Sequence, residues 1–296
     1  MIAFATPARL PEDARDRASS TTTALRLATL AEDSLKLELE TWPKPGLVSH
    51  IDSGSHTDMD AETISRSATA LRPYFLELAE AGARQAAMPA LRKIGLRAER
   101  AMLEATDGIN THRGAIFGLG LLCAAAGLRE TGYAHRLTPL GELVSGAWGS
   151  DIMIGPRLSG SHGEAASRRY GAGGARWEAV QGFPSVYRVG LPALRQANTL
   201  APGDAEAARL QACFALIATV NDTNLLHRGG AEGLHFAQQK AKRFLELGGV
   251  GRPNWRRTAL AIHLAFIERR LSPGGAADLL AMSLFAEQLE REPAPW

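Results

Sequence analysis

The segment from Ala115 to Leu128 is apolar on every side and is interrupted only by Gly118, Gly120 and Gly127. A helix without a polar face must be wrapped by other elements, and this one is too short to span a bilayer. It predicts a buried central helix, so the rest of the chain has to supply its surroundings.

Those surroundings also read as helices. Thr22 to Thr41 is rich in Ala, Leu and Glu and is stopped by Pro43 and Pro45. Ile64, Ala68, Leu71, Phe75 and Leu78 recur at three and four residues, with Pro73 predicting a kink or a break. Met88 to Ala105 places Leu91, Ile94, Ala98 and Met102 on one face. Thr138-Pro139 reads as an N-cap with Pro at the first helical position, opening a short helix towards Trp148. The glycine-rich stretch 149–174 predicts one short helix at most, and Gly182 and Pro184 end another one beginning near Gly174. Further helices are expected from Asp204 to Val220, Ala231 to Leu247, Trp255 to Leu271 and Ser272 to Glu290. No segment reads convincingly as a strand. The expectation is an all-α fold: a flexible segment 1–19, then a single-domain helical bundle over 20–296 with long functional loops between helices.

Composition narrows the partners. Hydrophobic residues at 45% and charged residues at 22% are ordinary for a soluble globular chain. A net charge of +2 supplies no field for nucleic acid or an anionic membrane, so neither is expected as a partner. Cys123 and Cys213 lie inside apolar helical runs and read as free buried thiols. The N-terminus lacks the apolar core of a signal peptide, and a cytoplasmic location is expected. A homo-oligomer is compatible with all of this.

The chemistry is concentrated at loop-to-helix junctions. Asp107 to Phe117 reads D-G-I-N-T-H-R-G-A-I-F and is echoed by D-T-N-L-L-H-R-G-G from Asp222 to Gly230. In both, an aspartate precedes a histidine by five residues and Arg-Gly follows. A helix start exposes unpaired N–H groups and a partial positive charge, and glycine lets a bulky anion approach. His112-Arg113-Gly114, Arg228-Gly229-Gly230 and Ser272-Pro273-Gly274-Gly275 all fit a polyphosphate site. Lys44, between two prolines, is a further candidate for phosphate. The loop from Pro43 to Asp60 carries Asp52, His56, Asp58 and Asp60, and a polyphosphate would hold Mg²⁺ through one or two such acids. Zinc is disfavoured and a Walker A loop is absent, because C-x-x-C, H-E-x-x-H and G-x-x-x-x-G-K-[ST] do not occur. His135, His235 and His263 read as surface or packing residues, while the glycines beside His162 leave its role open.

Five blocks, in order, carry a resemblance. They are P-K-P-G-L-V-S with S-G-S-H-T-D-M; E-R-A-M-L-E-A-T-D-G-I-N-T-H-R-G-A-I-F; R-R-Y-G-A-G-G-A-R-W-E-A-V-Q-G-F-P; D-T-N-L-L-H-R-G-G-A-E-G-L; and L-S-P-G-G-A-A-D-L-L-A. Together they cover about residues 25 to 285, and the chain resembles the triphosphoribosyl-dephospho-CoA synthase family. The resemblance implies an all-α enzyme whose substrates are ATP and 3′-dephospho-CoA. The 2′-hydroxyl of dephospho-CoA attacks the anomeric carbon of the ATP ribose and adenine leaves, giving the prosthetic-group precursor for an acyl carrier protein. His227 and Arg113 resemble the malonate decarboxylase branch more than the citrate lyase branch. Glu99, Asn110, His112, Asp222, Asn224 and Arg228 fit the family pattern, whereas Asp107, Arg270 and Ala276 depart from it.

Breaking the bond from ribose to adenine passes through an oxocarbenium-like state that needs a nearby carboxylate, a base for the incoming hydroxyl and a proton for the leaving base. Glu99 or Glu38 is expected as base or oxocarbenium stabiliser, and His112 as acid or hydrogen-bonding clamp. Lys44, Arg113 and Arg228 are expected on phosphates. Ser49, His56, Asn110, Thr111, Gly114, Asn224, His227, Gly229, Gly230, Ser272, Gly274 and Gly275 complete the binding set. Asp58 and Asp222 are the expected Mg²⁺ ligands. A non-catalytic nucleotide- or CoA-binding regulator and a nucleotide N-glycoside hydrolase on the same scaffold stand as alternatives.

Overall fold

The computed structural model describes residues 12–156 and 173–290, and among them there are helices and no strand. The helices are α1 Glu12–Glu40, α2 Ala61–Ala83, α3 Met88–Ala105, α4 Arg113–Glu130, α5 Leu140–Ile154 and α6 Gly174–Val180. A π turn at Val186–Gly190 then leads into α7 Leu191–Leu200, α8 Ala205–Thr219, α9 Thr223–Glu246, α10 Trp255–Glu268 and α11 Gly274–Glu290.

The all-round apolar segment becomes α4, and it is central. It packs against α1, α2, α3, α5, α6 and α11, and every residue from Gly118 to Leu128 is buried. Its glycines have steric work to do. A methyl group on Gly82 of α2 would overlap the Ala124 carbonyl oxygen of α4, and one on Gly127 would overlap the Ala79 carbonyl of α2. The two backbones approach that closely because one side of each contact is a glycine without a Cβ. Overpacking such a contact costs about 1–3 kcal/mol. Gly82→Ala is therefore expected to lower unfolding stability by that amount in a urea titration; an unchanged midpoint would show that the helices can separate freely.

The second half packs through α8, whose Phe214 stacks on Phe244 of α9 with ring centroids 4.0 Å apart. Helix α11 joins the halves, contacting α1, α4 and α8. No described helix is long and apolar enough to cross a membrane.

Several element boundaries differ from the sequence pattern. Helix α1 extends back to Glu12 instead of beginning at Thr22, and Pro73 does not divide α2. Pro139, not Thr138, is the cap residue of α5, without a side-chain cap bond, and α5 runs on to Ile154. The π turn and α7 were not expected at all. The echo at Asp222 is helical from Thr223, with a non-helical break at Gly230 (φ 61°, ψ −161°) where a loop-to-helix junction was expected. Helix α10 stops at Glu268, short of Leu271. Arg270 takes the left-handed conformation (φ 56°), its N–H reaches the Ile267 carbonyl and that of Leu271 reaches Phe266. This is the paired hydrogen bonding that ends helices after a left-handed residue. A helix opens at Asp204 as expected, and its side chain caps α8 by accepting from the Ala207 N–H at 2.9 Å.

Candidate active site

One cavity of about 1540 Å³ collects most of the residues singled out above. Its polar lining comes from Glu38, His56, Asp58, Glu99, Asn110 to Gly114, Asp222 to Asn224, His227, Arg228, Ser272, Gly274 and Gly275. Its apolar lining includes Met88, Leu91 and Leu96 of α3, Ile152 and Met153 of α5, and Trp177 of α6. A single drug-sized ligand occupies a pocket of roughly 300–1,000 Å³, so this one has room for two substrates at once.

Three helix starts meet at the cavity, and two acids stitch them together. Asp222 is only 1% exposed and caps α9, accepting from Asn224 N at 2.8 Å and Leu225 N at 3.2 Å. Its other oxygen accepts from Ala276 N at 2.9 Å, and Gly275 N also bonds it, so the same carboxylate holds the start of α11. Burial pushes its pKa up while the four amides pull against that shift. From α11, Asp278 reaches the start of α4 and accepts the Ala115 N–H. The Gly275 N–H of the Ser272–Gly275 junction is thus taken by an acid of the protein itself, and the Arg228–Gly230 junction lies inside α9 instead of at its start. That corrects two expectations. These helix starts offer an anion side chains more than free amides, and Asp222 bridges helices with the four acceptor positions a carboxylate has, which leaves it poorly placed as a Mg²⁺ ligand.

Lys44 does not reach the cavity. It is fully buried, and its ammonium pairs with the Glu38 carboxylate and bonds the Glu38 carbonyl oxygen at 2.5 Å. The prolines around it aim the side chain inward, so it anchors Glu38 instead of binding phosphate. Ser49 is also turned inwards, accepting from Ile51 N and Asp52 N within its own loop. Gly229 and Gly230 are likewise outside the lining. A Cβ on Gly229 would press on the Leu271 side chain, and Gly230 carries the break in α9.

His263, read as a surface or packing residue, is fully buried and pins the 43–60 loop. Its Nδ1 lies 2.5 Å from the Lys44 carbonyl oxygen and its Nε2 3.1 Å from Asp52 Oδ1. With the loop so held, His56 Nε2 reaches Ser272 Oγ at 2.9 Å while its Nδ1 lies 3.2 Å from Arg228 Nη2. Burial, then the Arg228 charge, hold the His56 pKa below the usual imidazole value, against the pull of Asp58. Neutral His56 accepts from Arg228 at Nδ1 and donates to Ser272 from Nε2. Arg228 also donates to the Ser55 and Arg270 carbonyls, both at 3.2 Å, and makes no ion pair with a carboxylate among the described residues. Its positive charge remains available to an anion. A hydrogen bond to a charged group contributes about 1.5–3 kcal/mol. Arg228→Ala is expected to weaken binding of inorganic triphosphate about tenfold or more by calorimetry, and an unchanged Kd would remove Arg228 as an anion ligand.

The first corner is organised by hydroxyls. Thr111 Oγ1 donates to Ser67 Oγ at 2.6 Å, and Ser67 Oγ lies 2.7 Å from His112 Nδ1. Ser67 still has its own proton to give after accepting from Thr111, and given to Nδ1 that proton leaves the hydrogen of the neutral ring on Nε2. Burial, then the nearby Lys44 charge, push the His112 pKa down to about 4. His112 is a neutral donor at pH 7, which favours the clamp over the acid. Glu99 is ion-paired with Arg113, so each neutralises the other, and Arg113 Nε is buried without a partner. Asp107, the head of the motif, sits at φ 54° just beyond α3 with 91% of its side chain exposed. It terminates a helix at a position that suits glycine.

No group of three or more His, Cys, Asp or Glu side chains among the described residues could hold a metal ion. A cation carried in by a polyphosphate needs only one or two protein carboxylates. Asp58 fits that part, with its side chain 58% exposed at the cavity and a single contact, 3.3 Å, to His56.

Two cavity acids escaped the sequence reading. Glu178 bonds Ser185 N and Oγ, and burial raises its pKa against those bonds. Asp278 is the second, and its signal was available: one carboxylate in an otherwise apolar helix start, G-G-A-A-D-L-L-A-M. His162 lies outside the described residues.

Comparison with known proteins gives a consistent result. A family model described as ATP:dephospho-CoA triphosphoribosyl transferase matches residues 24–295. A Pseudomonas fluorescens (strain Pf0-1) protein is 42% identical over 284 residues, covering 92% of this chain and 94% of the relative. Proteins from Azotobacter vinelandii (42%) and Pseudomonas savastanoi pv. phaseolicola (41%) each align over 272 residues, 90% of this chain and 92% of theirs. All three bear the name "Probable 2-(5''-triphosphoribosyl)-3'-dephosphocoenzyme-A synthase". No solved structure matches.

Proposed function

Because the chain belongs to the ATP:dephospho-CoA triphosphoribosyl transferase family, we propose that it transfers the 5-triphosphoribosyl group of ATP to the 2′-hydroxyl of 3′-dephospho-CoA and releases adenine. The observation that carries this reading is a carboxylate fixed by a buried ammonium, Glu38 on Lys44, in the wall of a cavity large enough for both substrates.

The residues divide the work by their surroundings. Glu38 accepts the proton of the attacking 2′-hydroxyl and faces the positive charge that develops on the ribose. Lys44 keeps that carboxylate in place. His112 donates a hydrogen bond from Nε2 in either direction of the reaction without changing charge. Arg228, with Asn224, His227 and Ser272 beside it on the lining, takes the triphosphate. Arg113 exchanges part of its bond to Glu99 for a phosphate oxygen. Mg²⁺ arriving with ATP would be held by Asp58 and phosphate oxygens, and it supplies charge neutralisation when bound. The product serves the acyl carrier protein of malonate decarboxylase, a reading supported by His227 and Arg113.

ATP, dephospho-CoA and Mg²⁺ incubated with the protein should yield free adenine and a CoA product heavier by triphosphoribose, both seen by mass spectrometry. Adenine release that does not require dephospho-CoA would make the protein a hydrolase. Release of ADP or phosphate would mean that a different bond breaks.

A further inference from the structure

Cleaving adenine from ribose needs a proton for the base as well as a carboxylate for the sugar. Within this cavity two lining carboxylates stand in opposite surroundings. Glu38 is paired with Lys44. Asp278 has no cationic partner among the described residues; its hydrogen bond is the one from the Ala115 N–H. Its Oδ2 lies against the Cα of Gly114, so closely that a methyl group there would overlap it. No side chain intervenes between this carboxyl and the start of α4. Glu38 has an ammonium partner and Asp278 has none among the described residues, and two acids in such different surroundings are the pattern of a divided acid–base role.

We propose that Asp278 is the general acid that protonates the departing adenine, opposite Glu38 as the base. This rests on the triphosphoribosyl-transfer reading above. In the step, the bond from C1′ to N9 breaks, its electron pair goes to the adenine ring, and the Asp278 proton goes to the base, which leaves neutral. The 2′-oxygen of dephospho-CoA bonds to C1′ and its proton passes to Glu38. The enzyme ends with Asp278 as carboxylate and Glu38 as acid, and one proton exchanged through solvent restores both. Burial, reinforced by the charges of Glu38 and Asp222, raises the Asp278 pKa well above the carboxylate range, in keeping with a proton held there before the reaction.

The test compares leaving groups. The full-length protein is given dephospho-CoA with either ATP or 4-nitrophenyl β-ribofuranoside 5′-triphosphate, whose nitrophenolate departs without a proton. Asp278→Asn should lose about 100-fold or more in turnover of ATP, the usual contribution of a general acid, but no more than about threefold with the nitrophenyl substrate. Asp278→Ser, which removes the carboxyl without adding bulk beside Gly114, should show the same asymmetry and carries the test if Asp278→Asn does not fold. Equal losses on the two substrates would overturn the assignment and make Asp278 only a brace for α4. A wild-type protein that releases no adenine from ATP and dephospho-CoA would instead overturn the transfer reading beneath it.

Discussion

Lys44→Met is expected to destabilise the fold by about 3–5 kcal/mol, because it leaves the Glu38 carboxylate enclosed without its counter-charge. Lys44 has no exposed surface, and the Glu38 side chain retains only 11% of its own. Solvent therefore cannot replace the lost ammonium. Against a total stability of about 5–15 kcal/mol for an ordinary domain, this is among the largest effects one substitution can have here. Urea unfolding followed by circular dichroism measures it, and a loss below 1 kcal/mol would mean that the pair contributes no more than a surface ion pair. Lys44→Met combined with Glu38→Leu should recover much of the loss, since replacing a whole buried pair by apolar side chains is often neutral. The double variant should still be inactive. That separates the part of the pair that supports folding from the part that serves chemistry.

Glu38→Gln should lower kcat by about 10²–10⁴-fold, the range for removal of a general base. The amide preserves shape and can still accept from Lys44, but it cannot take the 2′-hydroxyl proton or oppose charge on the ribose. KM for ATP should change little, because the side chains proposed for the triphosphate are elsewhere on the lining. Glu99→Gln is expected to keep turnover within about tenfold, since Glu99 already shares its charge with Arg113. Steady-state adenine release decides between them, and full turnover in both variants would remove the carboxylate mechanism.

Much of this architecture was legible because it depends on local pattern. An apolar run without a polar face can only be a core helix, and α4 is one. The helix expected to open at Asp204 does so, with Asp204 as its N-cap. The residues at the three junctions were legible as chemistry from their types and spacing. What each of them does was not. Asp107 heads a motif full of functional groups, yet its backbone turn makes it a helix stop with its side chain in solvent. Asp222 resembles a metal ligand in the sequence, yet it sits where two helix starts converge from positions more than fifty residues apart and is taken by their amides.

The sequence by itself determined the fold class, the central helix and the family, because these rest on periodicity, on local capping and on ordered blocks read along one chain. Only the tertiary structure decided charge and partnership. Lys44 changed from phosphate ligand to buried counter-ion, His112 met Ser67 of another helix and lost its charge to burial, and Asp278 was brought to the start of α4. The physical reason is the same in each case. A side chain's protonation and hydrogen bonds depend on the dielectric and the neighbours that folding brings to it from distant segments, and neither is a property of its place in the chain.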